Sequence, residues 1–299
     1  MELRDLEYFS VIAEHGNVGR AAESLDLSPP ALSKSLRRLE KAVGAKLVKK
    51  IPKGIELTTV GAAMVDHARR IKMTLHDVTR EAADLSQGQA GRLRIAAGPL
   101  IVEDLPRAYA VLHRNAPKLK LDLVVTDNDE SLPLLRQGKL DLIFNTLYAV
   151  PCEGTAQERL YDDDWVVCAA ADHPLFRKKR VTIDDLVGES WALSTVDPVR
   201  QYPLLQIFRE NRLSLSQVAV QTRSVRFRLC IVATTRLLTF ISRHVLQQTP
   251  EFRLKEVPIR ELTWRRPVGV IYRKDAYLSP AARRFIDILK STSRETGKR

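Results

Sequence analysis

The sequence predicts an α/β protein in three parts: a helix-turn-helix with a small wing, a long linker helix, and a larger two-lobed domain of alternating strands and helices. Three observations carry this. The first sixty residues hold three short helical patterns, punctuated by Gly16, Asp26-Leu27 and Gly44. An apolar heptad run then extends from Met64 to Leu85. After Gly88-Gln89-Ala90-Gly91 the pattern changes to strands alternating with helices.

A first helix is expected over residues 3–14, with Leu3, Leu6, Phe9 and Ile12 on its apolar side and Gly16 as its stop. Asn17 is a good N-cap for a helix over 18–24, in which Ala21 and Ala22 permit another helix to approach closely. Ser28 caps the next helix, and Pro29 sits at its first position, where a missing N–H costs nothing. There Leu32, Leu36 and Leu39 recur at helical spacing, while Ser33, Lys34, Arg37, Arg38 and Lys41 occupy the other side. Two short strands, near 46–49 and 55–57, flank a turn at Pro52-Lys53-Gly54.

Thr58 or Thr59 caps a helix that runs to about Gln87. Met64, Ala68, Ile71, Leu75, Val78, Ala82 and Leu85 alternate spacings of four and three, the a/d seam of a coiled coil. Such a seam calls for a second copy, and packing on the chain's own body is the plainer alternative.

From residue 92 onward strands are expected at 93–97, 119–125, 140–144, 165–170, 190–193, 217–221, 239–241 and 268–271. Helices are expected at 102–115, 130–137, 203–211, 225–234 and 280–291. The alternation implies a mainly parallel sheet, and its length allows two lobes with a cleft between them.

Composition narrows the function. The chain has 299 residues, 44% hydrophobic and 28% charged, as in a globular protein. Its net charge of +12 favours an anionic partner, although a merely basic soluble protein would show the same excess. The basic residues concentrate between Ser28 and Thr58, where eight Lys and Arg face only Glu40 and Glu56, as in a nucleic-acid binder. Arg177-Lys178-Lys179-Arg180 reads as a solvated turn. No stretch of eighteen apolar residues and no signal-peptide layout is found, so a cytoplasmic protein without a membrane partner is expected. Cys152, Cys168 and Cys230 lack metal or CxxC spacing and read as reduced thiols. GxGxxG, Walker, HExxH and GxSxG motifs are missing, and the six histidines form no ligand-like cluster. An enzyme, a catalytic residue, a metal and a cofactor are therefore not expected.

The N-terminal residues also carry a family likeness. Leu6-Glu7-Tyr8-Phe9 and Glu14-His15-Gly16-Asn17-Val18-Gly19-Arg20-Ala21-Ala22 resemble the opening of LysR-type transcriptional regulators. Residues 25–34, Leu36-Arg37-Arg38-Leu39-Glu40, Gly44-Ala45-Lys46-Leu47, Leu57-Thr58 and Gly61 resemble their turn, recognition helix and wing. Gly138-Lys139-Leu140-Asp141-Leu142-Ile143 and Asp172-His173-Pro174-Leu175 resemble their C-terminal body. The resemblance implies a bacterial DNA-binding regulator with a periplasmic-binding-protein-like effector domain. Its parts would be 1–58 for the winged helix-turn-helix, 59–91 for the linker and dimerisation helix, and 92–299 for the effector domain. Lobe 1 would comprise 92–161 and 266–299, and lobe 2 would comprise 162–265.

The expected partners are double-stranded DNA and a second copy through the linker helix. The resemblance extends this to a homotetramer on a bent site, with RNA polymerase as a further candidate. Ser28 and Pro30 lie at a helix N-terminus that favours phosphate. Ser33, Lys34 and Arg37 are candidates for base contacts, and Arg37 can pair bidentately with guanine. Arg20, Lys50 and Lys53 are phosphate candidates, and Arg38 completes the DNA set. A small-molecule effector of unknown identity, an organic or aromatic acid among the candidates, would bind between the lobes. Its expected contacts are Pro99, Leu100, Thr126, Asn128, Asn145, Thr146, Ser194, Thr195, Arg200 and Thr222. Arg200 could hold a carboxylate, or be a plain surface arginine.

The sequence departs from the family pattern in places. Pro29 replaces a usual glutamine, Lys34 a common arginine, and Val48-Lys49-Lys50 the usual Phe-x-Arg. Pro99 replaces a hydroxyl residue that often binds effector, and residues 232–237 lack the usual glycines. Two other readings stay open: a DNA-binding architectural protein without ligand control, and an enzyme without a recognisable motif.

Overall fold

The computed structural model describes residues 1–87, 91–194, 203–210, 212, 217–274 and 276–296. The chain divides into two compact units, Met1–Gly88 and Gln89–Arg299.

In the first unit α1 (Leu3–His15) ends at Gly16, whose φ of +59° suits a residue without Cβ. Asn17 caps α2 (Val18–Ser24), its Oδ1 accepting from the amides of Gly19 and Arg20 at 2.8 and 3.2 Å. Ser28 caps α3 (Pro29–Val43), which stops at Gly44. Leu6, Phe9, Ile12, Ala21, Ala22, Leu32 and Leu39 close one core between these helices. The two alanines are fully buried, as close helix approach requires.

The wing is an antiparallel pair, β1 (Val48–Ile51) and β2 (Gly54–Leu57). Its first strand begins two residues later than expected. Leu47 is in the core, its amide donating to Glu40 at 3.0 Å, so the preceding residues are tied to α3 rather than to a ladder. The hairpin tip packs on the α1–α2 turn: the Ile55 amide donates to the Gly16 carbonyl at 2.9 Å. Gly54 has φ +140°, and a Cβ there would lie 2.2 Å from that carbonyl oxygen.

Helix α4 (Thr59–Gln87) has 29 residues, about 43 Å at 1.5 Å per residue. Its first turns belong to the core through Val65 and Ala68. Further along, Ile71, Leu75 and Val78 are 36, 42 and 57% exposed.

The second unit begins with β3 (Arg92–Ala97), α5 (Leu105–Asn115), β4 (Lys120–Val125), α6 (Asn128–Arg136) and β5 (Leu142–Thr146). The chain then crosses on a 16-residue strand, β6 (Thr155–Ala170). There follow β7 (Ser190–Leu193), α7 (Pro203–Glu210), β8 (Gln217–Gln221), α8 (Val225–Thr234), β9 (Thr239–Ser242), α9 (Arg243–Gln248) and β10 (Leu254–Glu256). It returns on β11 (Trp264–Arg273) and ends in α10 (Pro280–Thr296).

The main sheet runs β10-β6-β11-β5-β3-β4, with β9 also on β6. β3 is parallel to β4 and β5, whereas β11 is antiparallel to β5 and β6, and β6 is antiparallel to β9 and β10. The sheet is therefore mixed rather than mainly parallel. One strand leaves lobe 1 and another comes back beside it, so the two crossing strands run in opposite directions.

Each lobe has its own core. In lobe 1, Leu93, Ile95 and Ala97 face α5 and α10, with Leu112, Phe144 and Phe285, while Ala96, Ile143 and Leu135 pack on the α6 side. This alternation is that of strands buried on both faces. In lobe 2, Val167, Trp191, Phe208 and Phe240 form one layer, and Cys168, Leu229, Ile241 and Val245 the other.

Candidate functional site

Two places stand out, one in each unit. On α3 the apolar side is buried, while Ser28, Pro30, Lys34 and Arg37 are exposed and Ser33 is half-buried at the edge. Arg20 on α2 and Lys50 and Lys53 on the wing are exposed as well. Among the described residues no ion pair engages Arg20, Lys34, Arg37, Lys50 or Lys53. The helix N-terminus adds its own positive potential at Ser28 and Pro30. The result is an open cationic helix face beside a cationic hairpin.

Arg38 behaves differently from the DNA contact expected of it. Its Nε donates to both carboxylate oxygens of Asp5, at 3.1 and 3.0 Å, and its Nη2 also reaches Asp5. Ser35 donates to the same carboxylate at 2.6 Å. The guanidinium hydrogen bond holds the Asp5 carboxyl down at about 2, against the opposing effect of burial. Arg38 thus ties α3 to α1. Lys46 is likewise engaged, with Nζ 2.7 Å from Glu40.

The second place is the cleft between the lobes of the C-terminal unit. It lies at the carboxyl ends of the parallel strands β3, β5, β7 and β8, where α/β folds place ligands. An inner chamber of about 60 Å³ is lined from lobe 1 by Gly98, Pro99, Leu100, Asp127, Asn145 and Thr146. Ser194, Arg223, Val225 and Arg228 line it from lobe 2, and Asp163, Trp165 and Arg266 from the crossing strands. That volume suits a small polar group. A second chamber of about 570 Å³ adjoins it, bounded by Val125, Thr126, Leu229, Val245 and Phe252.

Backbone geometry shapes the inner wall. The Gly98 amide donates to Phe144 O at 3.0 Å, and the amides of Ile101 and Val102 return to Gly98 O at 3.1 Å. A Cβ on Gly98 would stand 2.4 Å from Asn145 Oδ1. That oxygen accepts the Thr146 amide at 2.8 Å.

The charges are arranged in sets. The Arg266 guanidinium lies 4.5 Å over the Trp165 ring and 4.8 Å over Trp264. Asp163 accepts from Ser242 Oγ at 2.7 Å and Trp165 Nε1 at 3.0 Å, and burial pushes its carboxyl up. Arg228 is only 2% exposed. Arg223 reaches across the mouth to Glu130, and lies 3.7 Å from Asp129. A second link between the lobes joins Asp104 to His244 Nε2 at 2.9 Å, with Tyr161 OH donating to Asp104 at 2.5 Å.

Of the expected effector contacts, Pro99, Leu100, Asn145, Thr146 and Ser194 come together in the inner chamber, and Thr126 lines the outer one. Asn128 and Thr222 line neither. Asn128 Nδ2 donates to Thr146 O at 2.8 Å while its buried Oδ1 has no partner among the described residues, and Thr222 Oγ1 accepts the Ser224 amide at 3.1 Å. Thr195 and Arg200 lie outside the described residues. Sequence reasoning missed Asp127, Asp163, Arg223, Arg228 and Arg266. Arg228, which with Arg226 is one of two cations in the otherwise apolar α8, was a signal that could have been used.

Among the described residues no cluster of metal-ligating side chains occurs, and no helix is long and apolar enough to cross a membrane. Cys168 is buried, which pushes its thiol up to about 12, whereas Cys152 is half-buried and Cys230 exposed.

Comparisons with known proteins cover both units. The family model "Bacterial regulatory helix-turn-helix protein, lysR family" matches residues 3–62, and "LysR substrate binding domain" matches residues 86–294. The HTH-type transcriptional regulator GbpR of Azospirillum brasilense is 29% identical over 98% of this chain and 87% of its own. The RuBisCO operon transcriptional regulator of Allochromatium vinosum is 27% identical over 97% of this chain and 96% of its own. The crystal structure of full-length CbnR with its target DNA superposes with a TM-score of 0.63 at 20% identity, covering 98% of this chain and 100% of that one.

Proposed function

Because the chain belongs to the LysR family of DNA-binding transcriptional regulators, we propose that it reads a specific operator through α3 and responds to a small organic acid held between its effector lobes. The observation that carries the reading is the open cationic face of α3. Lys34 and Arg37 are exposed there with no ion pair among the described residues, opposite a buried Leu32-Leu36-Leu39 stripe.

In this reading the α3 N-terminus enters the major groove. Ser33, Lys34 and Arg37 meet base edges, while Ser28, Pro30, Arg20, Lys50 and Lys53 meet the backbone. Pro29 leaves no side-chain donor at the helix start, so recognition falls more heavily on Arg37. The winged head is taken as residues 1–58, the linker as 59–91 and the effector domain as 92–299. A dimer forms through the exposed Ile71, Leu75 and Val78 seam of α4, and two dimers make a tetramer on an extended site. Such a regulator works beside the chromosome in the cytoplasm, with RNA polymerase as a further partner.

Effector control follows from the cleft. Arg223 closes its mouth and Asp104–His244 joins the lobes beyond it, so a ligand that prefers one lobe angle shifts the population toward it. Nuclease footprinting of the purified protein on DNA upstream of its own gene tests the regulator reading. Protection of two half-sites a whole number of helical turns apart is expected. Uniform protection at every position would favour an architectural protein instead.

A further inference from the structure

Asp127 occupies the N-cap position of α6 yet caps no amide. Its carboxylate turns instead to the cleft, where it lines both chambers. No donor among the described residues hydrogen-bonds to it, and burial pushes its carboxyl up. Asp127 is half-buried, and a carboxylate partly withdrawn from water with no donor among the described residues gains from a ligand that supplies one. Asp163, the other carboxylate of the inner chamber, already has Ser242 and Trp165.

The same chamber presents two guanidinium groups, Arg228 from α8 and Arg266 from β11. A bare anion placed there would meet these arginines but would also face Asp127. A ligand with a donor beside its carboxylate satisfies both. The outer chamber adds a third requirement. Its walls include Val125, Leu229, Val245 and Phe252, and it shares Pro99, Leu100, Asp127, Arg223 and Val225 with the inner one. One molecule can therefore occupy both.

We infer that the effector is an apolar acid carrying a hydrogen-bond donor next to its carboxylate. Arg228 and Arg266 take the carboxylate, Asp127 takes the donor, and the outer chamber takes the apolar part. The inference rests on the reading of this cleft as the effector site. An ammonium and a hydroxyl both supply the donor, so the chemistry admits an α-amino or an α-hydroxy acid.

Isothermal titration of the full-length protein distinguishes these with one carbon skeleton. Leucine, 2-hydroxy-4-methylpentanoate and 4-methylpentanoate differ only in carrying an ammonium, a hydroxyl or a hydrogen. Isopentylamine lacks the carboxylate, and glycine lacks the apolar part. At least one donor-bearing acid is expected to bind about tenfold or more tighter than 4-methylpentanoate, since a site built for a donor rejects the analogue lacking it. Isopentylamine and glycine are expected to be weaker still. Asp127→Ala should erase the donor preference and strengthen the binding of 4-methylpentanoate, whose carboxylate then no longer faces a like charge. Phe252→Ala should weaken all three six-carbon acids while preserving their order. Equal binding of the three acids, or a donor preference that survives Asp127→Ala, overturns the inference. So does binding of none of them by protein that still selects its DNA site, an outcome that leaves the regulator reading standing.

Discussion

Arg38 and Asp5 form the joint between the first and third helices, with Arg38 Nε 3.1 and 3.0 Å from the two carboxylate oxygens and Asp5 fully buried. Removing either partner leaves α1 and α3 less well tied. Arg38→Ala leaves a buried carboxylate with no counter-charge and only the Ser35 hydroxyl and Glu2 amide as donors, whereas Asp5→Ala frees a guanidinium that is already half in water. Arg38→Ala should therefore cost about 1–3 kcal/mol, and Asp5→Ala somewhat less, in chemical denaturation of the N-terminal unit. Because the folded-state carboxyl sits at about 2, below its unfolded value, the joint stabilises the fold above the ordinary carboxylate range. That contribution is lost as pH falls from about 4 toward 2. A melting profile in which Asp5→Asn removes part of the acid dependence is expected.

Gly61, at the start of α4, lies against the wing. A Cβ there would stand 2.0 Å from the Leu47 carbonyl oxygen, which is backbone and has little freedom to move. Gly61→Ala should destabilise the N-terminal unit by about 1–3 kcal/mol. Thermal melting together with DNA binding checks this, and both are expected to fall.

The contact between His244 and Asp104 makes the joining of the lobes pH-dependent. The hydrogen bond that His244 Nε2 donates to the Asp104 carboxylate raises the His244 imidazole above its ordinary value. A raised histidine stabilises the fold fully below its unfolded value and loses that effect as pH rises through its folded value. The effector domain should melt at lower temperature as pH is raised from 6 to 8, and His244→Gln should flatten that slope.

Gly98 and Asn145 share the inner wall with no room between them. Gly98→Ala must push Asn145 from its place, and with it the Thr146 amide that Asn145 holds at 2.8 Å. Effector binding should weaken about tenfold or more, read by titration with whichever acid the wild type binds. DNA affinity should stay within about twofold, because the change lies in the other unit.

Much of the head was legible because its boundaries are set by local chemistry. Gly16, Asn17, Ser28, Pro29 and Gly44 each occupy the capping position that their side chains or backbone freedom suit. The role of Arg38 was not legible, since pairing with Asp5 joins residues 33 apart and nothing in the α3 pattern separates it from Arg37. In the C-terminal unit the strand at Trp165–Ala170 was visible as an apolar run, but its first ten residues were not. Thr155–Asp164 includes Gln157, Glu158, Arg159 and three aspartates, because this stretch crosses between lobes and is only partly covered. The cleft was legible where it follows strand ends, as at Asn145, Thr146 and Ser194. Its charged lining comes from α8, the crossing strands and the loops after β4 and β8, and that convergence is a property of the tertiary fold alone.

The central claim is that α3 reads sequence through Arg37. Fluorescence anisotropy on DNA tiled across the upstream region, at two salt concentrations, measures this for the wild type, Arg37→Ala and Lys53→Ala. One tile should bind the wild type far more tightly than the rest, with a steep salt slope. Lys53→Ala should weaken all tiles alike and lower the slope, while Arg37→Ala should remove about 1–3 kcal/mol of the preference for that tile. Equal binding to every tile, unchanged in Arg37→Ala, would contradict the account.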